Sequence, residues 1–580
     1  MRQDYFTKYL LLLCVSLASC KGGSQLISNQ EFKSNTSLSY EECISEYEAL
    51  ANHPNAYLME FGGTDIGKPL SVFVLSSDAL QRETSLNSDK ATILVNNAIH
   101  PGEPCGVDAS VMLAKTLLEN KKLESILERV NIAIIPMYNI GGALNRGCCS
   151  RANQNGPEYY GFRGNARNLD LNRDFIKCDS ENAKSFSKLY HYLNPHVFLD
   201  THTSNGADYQ YVMTLITTQP DKATPAVRSY LNNKMVDDLY QRMDSTGYPM
   251  SPYVYTTGAT PDEGIKDYLE TPRYSTGYAT LFNAIGFVSE THMLKPYSER
   301  VQSTYELMIH LVNYTYENAE EIKEVKKRAD KFSKALKTFE INWELDTTRY
   351  EMFSFNGYEA GYKDSEFSTN QRLFYNREKP FTKDIKYYNR YPASVRAKAP
   401  DYYIIPQAWK EVITRLDLNE IAYTELEKDS VFKVEFYRIE DSETGNSPYE
   451  GHYLHKNVKL SSHTVDQQFR KGDILVPVNQ KKNRYIVETL EPNGPDSFFN
   501  WNFFDEVLQQ KEWFSAYVFE DVAAELLQNN TELKKEFKIK QESSEEFRSN
   551  QWAQLYWLYQ RSDNYEPTHN RYPVARYFIK

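Results

Sequence analysis

The sequence predicts an α/β unit, a mixed, mostly parallel twisted sheet with helices on both faces, followed by a β-rich C-terminal domain. Three observations carry this expectation. Between about residues 40 and 310, short apolar runs alternate with amphipathic helical stretches, the pattern of strands joined by helical crossovers. Polar clusters follow several of those runs at their carboxyl ends, where open α/β sheets bind their ligands. Beyond about 335, Tyr, Asn and charged residues rise and period-two stretches appear, as half-buried strands require.

The chain opens with "MRQDYFTKYLLLLCVSLASCKGG". Arg2 and Lys8 precede an apolar run from Tyr9 to Ala18, too short for a membrane span and suited to a signal peptide over residues 1–20. The run closes on Leu17-Ala18-Ser19-Cys20, which resembles a bacterial lipobox. That resemblance implies export, acylation of Cys20, and a lipid anchor to a bacterial membrane on its periplasmic or cell-surface face. Residues 21–40, rich in Gly, Ser, Asn and Gln, then form a flexible tether.

The segment 41–335 is the expected α/β domain. "ATILVNNAI" is a strand and "GVDASVMLAKTLLEN" a helix, by the spacing of Val107, Val111, Leu113, Ala114 and Leu118. "VNIAIIPMYN", "HVFLDTH" and "AIGFVSETH" are further strands, and one long helix runs from Arg300 through "DKFSKAL". In the C-terminal domain, 336–580, "VFKVEFYRIED" and "NRYIVETLE" alternate as strands, whereas "PQAWKEVITRLDL" and "SNQWAQLYWLYQR" are helical. The aromatic cluster "PDSFFNWNFFDEVLQQKEWFSAYVFE" suits a core.

Composition removes several function classes. At 580 residues, with 41% hydrophobic and 25% charged residues, the chain is globular and long enough for two or three domains. A net charge of -12 argues against a nucleic-acid partner. Without Cys14 and Cys20 five cysteines remain, so at least one is unpaired or pairs between chains. No C-x-x-C is present, which disfavours a cysteine-rich zinc site.

Residues 94–110, "LVNNAIHPGEPCGVDAS", place His100 and Glu103 around a Pro-Gly turn at the mouth of an apolar strand. A hydrolytic zinc needs three protein ligands and one open position. His100 and Glu103 supply two, and His202, after the strand of "PHVFLDTHTSNGAD", supplies a third. Between them, "GFRGNARNLDLNRDF" holds Arg163, Arg167, Asn172 and Arg173. The planar fork of an arginine suits a carboxylate; Arg167 is read as part of a solvated loop.

The order His100-x-x-Glu103, Arg163-x-Asn-x4-Asp170-Leu171-Asn172-Arg173-x-Phe175, His202 and then a strand ending in Glu290 resembles the zinc metallocarboxypeptidases of the carboxypeptidase A, B, D and E kind, the D/E branch most closely. The likeness covers about residues 41–310. It implies that His100, Glu103 and His202 bind one Zn2+ per chain and that Arg163 steadies the oxyanion. Asn172 and Arg173 would grip the substrate's terminal carboxylate, and Glu290 would be the general base for a zinc-activated water. The substrates implied are peptide or protein C-termini. A substrate-binding tyrosine falls on Tyr268, 22 residues before Glu290, with Tyr274 and Tyr278 nearby. His292 is read as structural. Two other readings stay open: a zinc amidase or deacylase acting on cell-wall or other peptide-like amides, and a non-catalytic binding lipoprotein.

Overall fold

The computed structural model describes residues 26–78, 86 and 89–579; the signal peptide and Cys20 lie outside them. Among the described residues, eight strands form one mixed sheet in the order Ala56–Gly63, Pro69–Leu75, Val130–Ile135, Ala91–Asn96, Val197–Ser204, Ile285–His292, Met213–Thr217, Met250–Pro252. The four central strands, from Val130–Ile135 to Ile285–His292, are parallel to one another. Every residue of Val130–Ile135, Ala91–Asn96 and Val197–Ser204 is buried, as strands covered on both faces must be.

Helices Cys105–Glu119 and Tyr297–Glu317 join one core beside the sheet, and Glu181–Leu193 supplies Phe186, Leu189 and Leu193 to another. The single helix expected from Arg300 to about 336 is instead two, Tyr297–Glu317 and Ala319–Ala335. Asn318 adopts φ -115° and ψ 19° between them and donates its side-chain amide to the Tyr314 carbonyl. An Asn that bonds back onto the helix competes with the helical ladder and ends the first segment there.

The C-terminal half builds three more sheets. A six-stranded sheet carries the long hairpin Ser430–Thr444 and His455–Phe469. A two-stranded sheet pairs Thr338–Trp343 with Ala393–Lys398. In the third, the hairpin Glu351–Asp364 and Gln371–Tyr388 extends onto Ile265–Lys266 from the first half. One hydrophobic core joins Leu70 and Val72 to Phe339, Val412, Trp501 and Val574, so the two halves share packed interior.

"NRYIVETLE" folds as helix Asn483–Leu490, not as a strand. At eight residues it has the length of a strand, and Ile486, Val487 and Thr489 supply β-branched side chains that favour one. An i,i+4 ion pair of Arg484 and Glu488 at 2.8 Å closes it. In the aromatic cluster, Phe498, Phe499, Trp501 and Phe504 are fully buried, whereas Trp513 and Tyr517 are exposed. Cys148 and Cys149 form a vicinal disulfide, and Cys43, Cys105 and Cys178 are buried thiols. Among the described residues no helix is long and apolar enough to cross a membrane.

Candidate active site

The strand Ala91–Asn96 ends in a short loop that turns at His100, where the Glu103 amide donates to the His100 carbonyl at 2.9 Å, and helix Cys105–Glu119 follows. Glycine is required as that helix begins. A Cβ at Gly106 would stand 2.0 Å from Thr201 Oγ1, so only glycine lets the helix start press against the strand that carries His202. The turn and the strand end thereby meet. His100 Nδ1 lies 3.3 Å from Glu103 Oε1, and His202 Nδ1 lies 3.1 Å from Glu103 Oε2.

One ligand atom from each of His100, Glu103 and His202 falls within 4.8 Å of the others, and all three residues are buried. Zinc bonds of about 2.0–2.1 Å in a tetrahedron space neighbouring donors about 3.3 Å apart. Two imidazole nitrogens and a carboxylate at these separations fit that ion.

Both imidazoles are held from behind. His100 Nε2 stands 2.9 Å from Asp170 Oδ1, and His202 Nε2 stands 2.9 Å from Asp200 Oδ2. Each histidine thus turns its far nitrogen to a carboxylate and its Nδ1 to the cluster, the arrangement that fixes tautomer and ring orientation in metal sites. Burial acts against ionisation of Glu103, but the Arg151 guanidinium, at 2.8 Å, and the neighbouring imidazoles of His100 and His202 hold its carboxyl well below the ordinary range. Burial likewise acts against the charged form of His202, and Asp200 and Glu103 outweigh it, so this imidazole is raised.

Glu290 reaches the site by strand register. It is the direct partner of His202 across the parallel pair Val197–Ser204 and Ile285–His292, and register partners in a pleated sheet put their side chains on one face. Burial pushes its carboxyl up to about 8; His202 opposes the rise, and Glu103, Glu270 and Asp200 add to it.

A cavity of about 430 Å³ opens over the cluster, lined by His100, Glu103, Arg163, Asn172, Arg173, His202, Tyr268 and Glu290. All eight site residues expected from the sequence are therefore brought together. Arg163 donates through Nε to Asp170 Oδ2 at 2.9 Å, and its Nη1 lies 3.3 Å from His100 Nδ1. Asn172 and Arg173 sit in the tight turn Leu171–Arg173, which Asp170 caps by accepting from the Asn172 amide at 2.9 Å. Arg173 donates from Nε to the Tyr449 hydroxyl at 3.0 Å and from Nη1 to the Asn172 carbonyl at 2.8 Å.

Of the tyrosines near residue 270, Tyr268 and Tyr274 line the cavity, with ring centroids 5.6 Å apart. Tyr278 is fully buried elsewhere and bonds Asn419 Oδ1 at 2.6 Å, which removes it from the site. Arg167 is 54% exposed in its side chain, donates from Nη1 to the Asp179 carbonyl at 3.1 Å and does not line the cavity. His292 makes a hydrogen bond to the Ala207 carbonyl through Nε2 and accepts the Leu294 amide through Nδ1.

Sequence reasoning missed Arg151, Asp200, Glu270 and Tyr253, and gave Asp170 no role. For Asp200 a signal existed, because residues two apart on a strand share a face and His202 follows by two. Arg151 and Tyr253 come from loops far along the chain, where nothing local marks them. Glu270 is buried in the cavity wall, where its Oε2 accepts the Thr276 amide at 3.0 Å.

Several known proteins are similar to this chain. The zinc carboxypeptidase family matches residues 44–365, more than half of the chain. Carboxypeptidase 2 of Trichophyton rubrum is 20% identical over 464 residues, which cover 74% of this chain and 77% of that protein. The metallo-carboxypeptidase of Burkholderia cenocepacia is 16% identical, covering 49% of this chain and 70% of its own, with a TM-score of 0.38. Carboxypeptidase A of Helicoverpa armigera is 15% identical, covering 51% of this chain and 74% of its own, with a TM-score of 0.36. With more than half of its length matched, the chain belongs to the zinc carboxypeptidase family and is a metallocarboxypeptidase.

Proposed function

We propose that this enzyme removes the C-terminal residue of peptides or proteins outside the cytoplasm, with His100, Glu103 and His202 holding one zinc ion. The observation that carries the reading is the meeting of Asn172 and Arg173 with Glu290 and the three donors in a single cavity. A carboxylate receptor in the same cavity as a hydrolytic cluster selects the last peptide bond of a chain, because only that bond lies next to a free carboxylate.

A bound zinc supplies Lewis-acid polarisation of the scissile carbonyl and lowers the pKa of a water toward about 7. The protein's groups do the rest. Arg173 pairs with the terminal carboxylate through its fork, with Asn172 beside it. Glu290 would be ionised beside a zinc cation, which offsets the burial and the neighbouring carboxylates; its carboxylate then takes the proton of the attacking water and later delivers it to the leaving amine. Arg163 donates to the carbonyl oxygen as negative charge develops there. Tyr268 contacts the substrate from the cavity wall. Asp170 and Asp200, accepting from Nε2, hold the two rings so that each Nδ1 would face the ion once its proton is displaced.

The division into a catalytic unit at 41–335 and a C-terminal domain at 336–580 belongs to the same proposal, as does a lipid anchor on Cys20 holding the enzyme to a bacterial membrane. Hydrolysis of one peptide with free and with amidated C-terminus, with and without chelator, tests the activity. Chelator-sensitive cleavage confined to the free peptide is expected. Equal cleavage of both peptides would move the reading to a zinc amidase.

A further inference from the structure

The loop that joins the C-terminal strands Ser430–Thr444 and His455–Phe469 closes on the segment carrying the substrate-binding residues. It makes three side-chain bonds there. Glu450 Oε2 accepts the Asp170 amide at 2.7 Å, the Tyr449 hydroxyl accepts from Arg173 Nε at 3.0 Å, and His452 Nε2 stands 2.7 Å from Asp179 Oδ2. The loop is itself rigid. Tyr449 and His452 exchange backbone hydrogen bonds at 2.7 and 3.0 Å around Glu450 and Gly451. Those two central residues have φ +50° and +85°, as tight hairpin turns of the left-handed kind demand. Glu450 holds there a conformation that L side chains rarely adopt.

The Tyr449 ring is fixed from behind as well. It stacks on Trp501 at 6.1 Å with an interplanar angle of 26°, and the Arg273 guanidinium lies 5.6 Å from its centroid. Arg273 in turn bonds Asp496 at 2.7 Å. The hydroxyl that meets Arg173 thus stands on side chains of both halves, Trp501 and Asp496 from the C-terminal half and Arg273 from the first.

Arg173 is held on three sides. Nε is taken by Tyr449, Nη1 by the Asn172 carbonyl, and the face of the guanidinium lies 4.5 Å from the centroid of the Tyr274 ring. Among the described residues Nη2 takes no protein hydrogen bond, and Arg173 lines the cavity. A guanidinium is planar, so fixing Nε and Nη1 fixes the direction of Nη2.

We infer that Tyr449 is a positioning residue for the carboxylate clamp, fixing the Arg173 guanidinium so that its free N–H groups meet the terminal carboxylate of the substrate. The C-terminal domain is then part of the substrate site. Its loop does in advance the ordering that substrate would otherwise have to do on binding. The inference rests on the reading of Arg173 as the carboxylate receptor.

The test is steady-state kinetics of the full chain loaded with zinc, on one peptide with free and amidated C-terminus, for wild type, Tyr449→Phe and Arg173→Met. Tyr449→Phe deletes the hydroxyl and keeps the ring on Trp501. It should raise KM for the free peptide about tenfold, the scale of one hydrogen bond to a charged group. The loss should fall on KM rather than kcat, since the interaction is made in ground and transition states alike. Thermal melts of each variant check that the fold is kept. If Arg173→Met abolishes the preference for the free peptide while Tyr449→Phe keeps wild-type KM, the inference is overturned and the clamp stands. A fall in kcat at unchanged KM overturns it too. If Arg173→Met leaves the preference intact, the clamp reading fails and the inference goes with it.

Discussion

Asp200→Asn should weaken zinc binding about tenfold while leaving the fold in place. Asp200 is fully buried, with Oδ2 2.9 Å from His202 Nε2 and Oδ1 accepting from Asn96 Nδ2 at 3.3 Å. Asn96 Oδ1 has no hydrogen-bond partner, so Asn96 can turn its amide over and accept from the amide nitrogen that the substitution introduces. Both amides are then satisfied, and the introduced carbonyl oxygen still accepts from His202. What is lost is the charge. A hydrogen bond to a charged group contributes about 1.5–3 kcal/mol, against about 0.5–1.5 for a neutral pair. The difference of about 1.4 kcal/mol corresponds to one decade of affinity. Asp200→Ala removes the acceptor as well and should reach about a hundredfold, the upper range for outer partners of metal-bound histidines. Competition against a chromophoric chelator measures the zinc Kd, and circular dichroism melts check folding. Two folded variants that bind zinc with wild-type affinity would refute the assignment of His202 as a ligand oriented by Asp200.

Glu290→Gln should retain zinc and lose turnover by about 10²–10⁴-fold; activity within a few-fold of wild type, at full zinc occupancy, would move the general base elsewhere. Arg173→Met should cost about 3 kcal/mol on free peptides, the low end for breaking a buried pair, since its side chain is 20% exposed; the matching drop of about 10²-fold in kcat/KM should be absent for amidated peptides. Zinc at about a hundredfold over Kd should stabilise the enzyme by about 2.7 kcal/mol, and His202→Ala should abolish that rise in Tm. Burial alone would lower the His452 imidazole, but Asp179 outweighs it and raises it. Its contribution is therefore complete below about pH 6.5 and is lost as pH rises through the raised folded value, so His452→Gln should lower Tm at pH 6 far more than at pH 9. Radiolabelled fatty acid should label wild type in lipoprotein-processing cells and leave Cys20→Ser unlabelled; equal labelling would remove the anchor.

Local chemistry was legible in the amino-acid order. Apolar runs of strand length made the central strands legible, and His100-x-x-Glu103 and the strand-end His202 were readable as donors on short segments; the roles of Asn172, Arg173 and Glu290 came only through the order and spacing that resemble the zinc carboxypeptidases. Tertiary structure decided what depends on separated segments meeting. Glu290 faces His202 only through the parallel register of two strands more than eighty residues apart, and Arg151 reaches Glu103 from a loop forty-eight residues away. Helix Asn483–Leu490 mimicked a strand because it is only eight residues long and carries the β-branched Ile486, Val487 and Thr489. The long helix broke at Asn318 through a side-chain bond to its own backbone, a competition that hydrophobic spacing does not register. Tyr449 stands 276 residues from Arg173, and only packing of the C-terminal core against the sheet brings the two into contact.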